Sequence, residues 1–202
     1  MQNDKINTTQ SELELSVIKK IMEDSRSVVL NNGWHYVFWG IVVSCALIAN
    51  YIMALADVSG NYQGLMWFIL MVSAAIVGGI VERFAEKKRK VKTFASNLLG
   101  SLWFAGSIAM FMFGFIGSIT HAYHPIYIAP IISTVLGLTY FTSGAIQQVK
   151  MLTYIAFVWW AGAILLFIFP TVHTLLIFGL MMIFFQVVPG IIIHRKFKKE
   201  SV

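Results

Sequence analysis

The residues in this 202-residue chain best able to do chemistry are its histidines. His121 and His124 stand three apart in one polar loop, His173 lies in a later one, and Asp57 lies in an earlier one. Imidazole nitrogen and carboxylate oxygen suit zinc, and three protein ligands with one open position is the arrangement a catalytic zinc uses. His121, His124 and His173 are therefore a candidate metal site, with Asp57 as a further oxygen donor. The plainer reading is that they are polar residues beside Tyr123 and Tyr127 in an aromatic headgroup region. His35 and His194 fall at the opposite boundary. No two histidines are placed to face each other across a haem, and no cofactor is expected.

Other chemistry is excluded by position. Ser143-Gly144 could hint at an intramembrane serine protease, but Ser143 and His173 fall at opposite ends of their apolar runs. A nucleophile and its base must lie within hydrogen-bonding reach. No phosphate-binding glycine loop is present. No Asp, Glu, Lys or Arg lies near the middle of any apolar run, which weighs against an ion-coupled carrier, since such carriers hold an ionisable group at depth. The mid-depth polar residues are Asn50, Thr139 and Gln186, suited to hydrogen bonds between helices or to a solute. The densest charge is the run Arg83, Lys87, Lys88, Arg89, Lys90 and Lys92. Lys87, Lys88, Arg89 and Lys90 are candidate contacts for anionic lipid, each contributing about 1 kcal/mol of attraction near such a leaflet.

The elements that must position these residues are transmembrane helices. Apolar residues make up 58% of the chain and charged residues 12%, and the mean hydropathy is +0.76. A soluble domain of this size could not build a polar shell from so few charges. Six apolar runs cover 34–56, 64–82, 94–119, 126–147, 151–169 and 172–194. Each approaches the ~20 residues that cross the hydrocarbon core as a helix. The runs are continuous rather than alternating, which excludes barrel strands.

All 15 Lys and Arg fall before the first run, after the even-numbered runs, or in the 83–92 connection. The three other connections, near Asp57–Gln63, Thr120–Pro125 and Pro170–Thr174, hold none. The positive-inside rule then predicts both termini in the cytoplasm of a bacterial inner membrane. The pI of about 9.5 reflects this topology and implies no nucleic acid. Cys45 is the lone cysteine, so no intramolecular disulfide forms. No cleavable signal peptide is expected, because the chain before Trp34 is polar or amphipathic.

Two segments follow: a cytosolic one over 1–33 and a six-helix membrane domain over 34–202 with a short basic tail. In the first, Ser11 and Glu14 fit a capping box. Leu13, Val17, Ile18, Ile21, Met22 and Val29 recur at helical spacing, and Asn31-Asn32-Gly33 offers a stop. This amphipathic helix lies on the inner leaflet or docks a cytosolic partner through residues 12–30. In the second, Gly78-Gly79-Ile80, Ser143-Gly144-Ala145-Ile146 and Pro189-Gly190-Ile191 recur at the ends of the even runs. Phe38-Trp39-Gly40, Trp103-Phe104-Ala105-Gly106 and Trp159-Trp160-Ala161-Gly162 recur in the odd runs. The recurrence predicts three successive helical hairpins. Ala74/Gly78, Ala75/Gly79, Ala105/Ala109 and Ser133/Gly137 predict close helix contacts, and Pro189 predicts a distortion of the sixth helix.

Glu12-Leu13-Glu14-Leu15, Met22-Glu23-Asp24-Ser25-Arg26, Asn32-Gly33-Trp34-His35-Tyr36, Phe38-Trp39-Gly40 and Val188-Pro189-Gly190 together resemble a family of small six-helix integral membrane proteins of Bacteroidetes-type genomes. The resemblance implies six helices and implies no activity or site residue. Three function classes stay open. The first is a non-enzymatic membrane protein that binds or regulates a partner, as a monomer or homo-oligomer. The second is a small-solute or lipid transporter or channel, which predicts a polar route near Asn50, Thr139 and Gln186. The third is a metal-dependent membrane enzyme, which depends on the outer histidines.

Overall fold

The structure is a computed structural model that describes residues 12–19, 33–86 and 94–200. Every long element is a helix, and the described residues contain no strand. Helix α1 covers 12–19. Six helices are long and apolar enough to cross a membrane: α2 Gly33–Leu55, α3 Gly60–Val81, α4 Phe94–Ile119, α5 Pro125–Gln147, α6 Lys150–Ile168 and α7 Thr174–Arg195. The expected spans are present, each within a few residues of its expected bounds. α3 continues to Glu86 and α7 to Glu200, because a helix need not end where the apolar run does.

The core is α2, α5, α6 and α7. Their buried residues follow helical stripes, as in Gly33, Tyr36, Val37, Gly40, Ser44, Leu47 and Asn50 on α2. On α6 the stripe is Leu152, Ile155, Ala156, Trp159, Gly162, Ala163 and Leu166. Each stripe is one face of a 3.6-residue period. α3 and α4 are peripheral, with 6% of each span buried against 33% or more for the other four.

Close packing runs through small residues. A Cβ on Gly33 would meet the His194 backbone N at 2.7 Å, and one on Gly190 would meet the Tyr36 Cβ at 2.9 Å. Ser44 Oγ donates to the Gly179 carbonyl at 3.3 Å. These contacts join α2 to α7 along their length. α5 and α6 form the most extensive pair. Ser133 Oγ donates to the Trp159 carbonyl at 2.8 Å, Trp160 Nε1 donates to the Thr134 carbonyl at 3.2 Å, and Gly144 lies against Thr153.

Consecutive spans touch as the expected hairpins require, but the most extensive contacts do not follow that grouping. The first span closes on the last, and the fifth packs chiefly on the fourth rather than the sixth. The recurrent glycines do not act alike: Gly144 and Gly190 meet a neighbouring helix, whereas Gly79 faces open space. Of the expected small pairs, Ser133/Gly137 packs as anticipated, while on α4 the buried residue is Gly106 rather than Ala105.

Two helices contain a π turn, α4 at Met112–Ile116 and α7 at Ile183–Val187. The second immediately precedes Val188-Pro189. Proline has no N–H and its ring crowds the carbonyl four residues back, so the hydrogen-bond register widens just upstream. In α4 the π turn leaves the Phe113 carbonyl to accept from the Tyr123 hydroxyl. Burial raises the Tyr123 pKa above its ordinary value.

Candidate functional site

The inner face of α5 is polar where a membrane bundle would be expected to be apolar. Ser133, Tyr140, Ser143 and Gln147 fall on one helical face and are all buried. Tyr140 and Ser143 are 0% exposed and Gln147 is 3% exposed. The lower part of this face, toward the end of the bundle that carries Lys150 and Arg195, is closed by aromatic rings from two other helices. Tyr36 of α2 reaches over Gly190 and packs on Tyr140 with ring centroids 5.5 Å apart. Trp103 of α4 stands edge-on to both, 5.7 Å from Tyr36 and 5.6 Å from Tyr140. Trp159 of α6 stacks on the far side of Tyr140 at 6.2 Å and meets Phe178 of α7 edge-on at 5.9 Å.

The Tyr36 hydroxyl has Gln147, Trp103 and Ser143 as its polar neighbours. Ser143 and Gln147 thus lie within reach of the Tyr36 hydroxyl, but their geometry falls short of a full hydrogen bond. Tyr140 OH, Ser143 Oγ and Gln147 Oε1 have no hydrogen-bond partner, nor do Trp159 Nε1, Gln186 Oε1 and Asn50 Oδ1. A buried polar atom without a partner costs about 1–3 kcal/mol. Buried polar groups that lack protein partners are met by water or by a ligand. Polar side chains are thus gathered inside an otherwise apolar bundle.

Of the three mid-depth residues singled out in the sequence, Gln186 and Asn50 belong to this unsatisfied set, and Gln186 sits within the π turn of α7 beside Gly40. Thr139 does not: its Oγ1 donates to the Leu136 carbonyl at 2.9 Å, and its methyl packs on Gly106. Its role is to seat α4 against α5. A cleft of about 80 Å³ lies elsewhere, between α2 and α3, lined by Trp34, His35, Phe38, Val77, Gly78 and Val81.

His121, His124 and His173 are not drawn together. Among the described residues, no three His, Cys, Asp or Glu side chains are grouped as a metal ion requires. His173 Nδ1 is held 2.9 Å from the Tyr51 hydroxyl. His124 Nδ1 accepts from the Ile126 backbone N at 3.3 Å and caps the first turn of α5. His121 and Asp57 occupy left-handed turn positions, with φ 53° and 52°. Lys87, Lys88, Arg89 and Lys90 lie outside the described residues, as does most of the segment expected to dock a partner. Its described part, 12–19, is helical and exposed.

Tyr36, Trp103, Tyr140 and Gln147 were not singled out as site residues by sequence reasoning. The legible signal was the spacing of Ser133, Tyr140, Ser143 and Gln147, which repeats on one face of a membrane helix. Fold and site together define an all-α, multi-pass membrane protein with a buried polar and aromatic site. Compared with known families, characterised proteins and solved structures, the chain matches none.

Proposed function

We propose that this chain is a small-solute transporter or channel of the bacterial cytoplasmic membrane, with both termini on the cytoplasmic side. The observation that supports it is the set of six buried polar atoms that, among the described residues, lack a well-formed hydrogen bond. At about 1.5 Å per helical residue, Gln147 lies at the cytoplasmic end and Tyr140 about 10 Å in. Trp159 and Gln186 lie near mid-depth on the same count, and Asn50 lies toward the outer end. Polar groups thus recur from one side of the bundle to the other. The orientation rests on the distribution of Lys and Arg.

The touching rings of Tyr36, Trp103 and Tyr140 must part for a solute to pass. Trp103 rides on α4, which packs mainly along α5 and is otherwise little buried. α4 also contains a π turn, a feature frequent at functional sites. Motion of α4 would therefore open the site at the least cost in core packing.

A second reading is favoured by α1, whose Leu13, Leu15, Val17 and Ile18 are all exposed. It is the sequence-level reading of a regulatory or partner-binding membrane protein, and the two roles are compatible on one chain.

Thiol accessibility tests the transport reading. In a Cys45→Ala background, the thiol of Ser143→Cys should react with methyl methanethiosulfonate in native membranes. The thiol of Ala156→Cys, at an equally buried apolar position on α6, should react at least about tenfold more slowly, which corresponds to 1.4 kcal/mol. Equal protection of both thiols would mean that the polar face is closed core, and the reading would fail.

A further inference from the structure

We infer that a second copy of this chain packs against the outward face of α4, along a seam of Asn97, Ser101, Phe104, Ile108 and Phe111. The inference is independent of the solute-handling reading above. All five residues are exposed, and their spacing alternates four and three. A period of about 3.5 residues keeps a narrow stripe turned toward a partner helix along a left-handed crossing. The buried residues of α4 are Ala95, Leu99 and Gly106, and Gly106 meets Thr139 of α5. At about 100° per residue, the seam stands on the opposite side of the helix from them.

The chemistry of this face differs from that of a surface turned to lipid. On α7 every exposed position from Leu176 to Ile192 is Leu, Ile, Val or Phe. α4 instead exposes Asn97, Gly100, Ser101 and Ser107. Nothing lies within 4 Å of a Cβ at Gly100. Ser101 and Ser107 donate to the carbonyls of Asn97 and Trp103 on their own helix, at 3.0 and 2.8 Å. Small residues whose hydroxyls are already met let two backbones approach closely, and in lipid such packing drives association.

Asn97 selects a second copy over another partner. Copies inserted with one topology and joined by a closed twofold share an axis along the membrane normal. Each seam residue then meets its own counterpart at the same depth. A carboxamide carries both donors and an acceptor, so two of them pair reciprocally whichever way each is turned. A single Asn in such a seam also fixes its register. The seam stops where the helix changes. The π turn at Met112–Ile116 directly follows Phe111, and Phe115 turns back to its own protomer, stacking on Phe111 at 5.1 Å and meeting Phe68 of α3 at 6.2 Å.

Oxidative cross-linking of the full chain in native membranes tests this, in a Cys45→Ala background with copper phenanthroline. The controls are Leu98→Cys, on another face of α4, and Phe157→Cys on α6, both exposed. Phe157 stands as far from the start of its span as Ser101 does from the start of α4. Ser101→Cys and Ile108→Cys should form disulfide-linked dimers at least about tenfold faster than either control, which corresponds to 1.4 kcal/mol. Either seam position suffices if the other variant is not monodisperse. Adding Asn97→Leu to Ile108→Cys should slow its cross-linking about threefold or more, the effect of losing a hydrogen bond between membrane helices. Asn97→Gln, which keeps a carboxamide, should slow it less. Equal rates at seam and control positions, or no dimer at all, would mean that α4 faces lipid and would overturn the inference. Fastest cross-linking at Leu98→Cys would overturn it too, by placing the contact on another face. A fast seam unaffected by Asn97→Leu would overturn the carboxamide pair.

Discussion

A Cβ placed on Gly190 would lie 2.9 Å from the Cβ of Tyr36 and 2.9 Å from Val37 Cγ2. Only a residue without a side chain lets α7 cross α2 this closely, and the crossing holds the Tyr36 ring over Tyr140. The first and last spans of the chain thereby build one wall of the site.

Gly190→Ala should destabilise the bundle by about 1–3 kcal/mol, the usual cost of overpacking, and lower its melting temperature in detergent. Gly79→Ala and Gly100→Ala are the controls. Nothing lies within 4 Å of a Cβ at either position, so alanine should be neutral or stabilising, by up to about 1 kcal/mol of helix propensity. A Gly190→Ala protein as stable as the controls would mean that the α2–α7 crossing is looser than described.

The spans were legible in the sequence because lipid imposes a long apolar run free of charge, and this chain meets that condition six times. The pairing of the spans was not legible. Gly79 and Gly190 look alike in sequence, yet one faces open space and the other a helix backbone. Which face a glycine presents depends on the rotation of its helix, and one residue changes that by about 100°. Gln147 and Tyr36 carried no site signal in the sequence for the same reason, since their burial depends on how the helices face one another. The π turn at Ile183–Val187 alters the facing of α7 beyond what a regular period predicts. The histidines were legible as a group only because sequence spacing cannot show that Tyr51 and Ile126 already engage two of them.

At the end of the bundle away from Lys150, Tyr51 and His173 join α2 to the start of α7 at 2.9 Å. Tyr51→Phe should remove about 0.5–1.5 kcal/mol at most, the net worth of one hydrogen bond. The effect should be local. Amide exchange should quicken at Thr174 and Leu175, whose N–H groups close the turn after Pro170, and should not change over 140–147. Faster exchange across both regions would mean that the two ends of the bundle are coupled.

The proposed orientation predicts a labelling pattern. With Cys45→Ala as background, single cysteines at Asn61, Tyr123 and Thr171 should react with an impermeant thiol reagent in intact cells, and cysteines at Lys88 and Lys198 should not. Labelling at Lys88 in intact cells would invert the topology and place Gln147 on the outer side.

The central claim is that Tyr140, Ser143 and Gln147 are kept polar for a solute at a cost in stability. Its most direct test is the thermal stability of Tyr140→Phe, Ser143→Ala, Gln147→Leu and the triple variant, measured in solute-free detergent solution. Replacing an unpartnered buried polar atom by an apolar group of similar shape removes a desolvation penalty, and sites kept for function commonly gain stability when they are simplified. The account predicts that each variant melts at or above the temperature of the parent, with the triple highest. A fall of more than about 1 kcal/mol in Tyr140→Phe or Ser143→Ala, the loss expected for a satisfied hydrogen bond, would show that these atoms are partnered within the protein and would contradict the account.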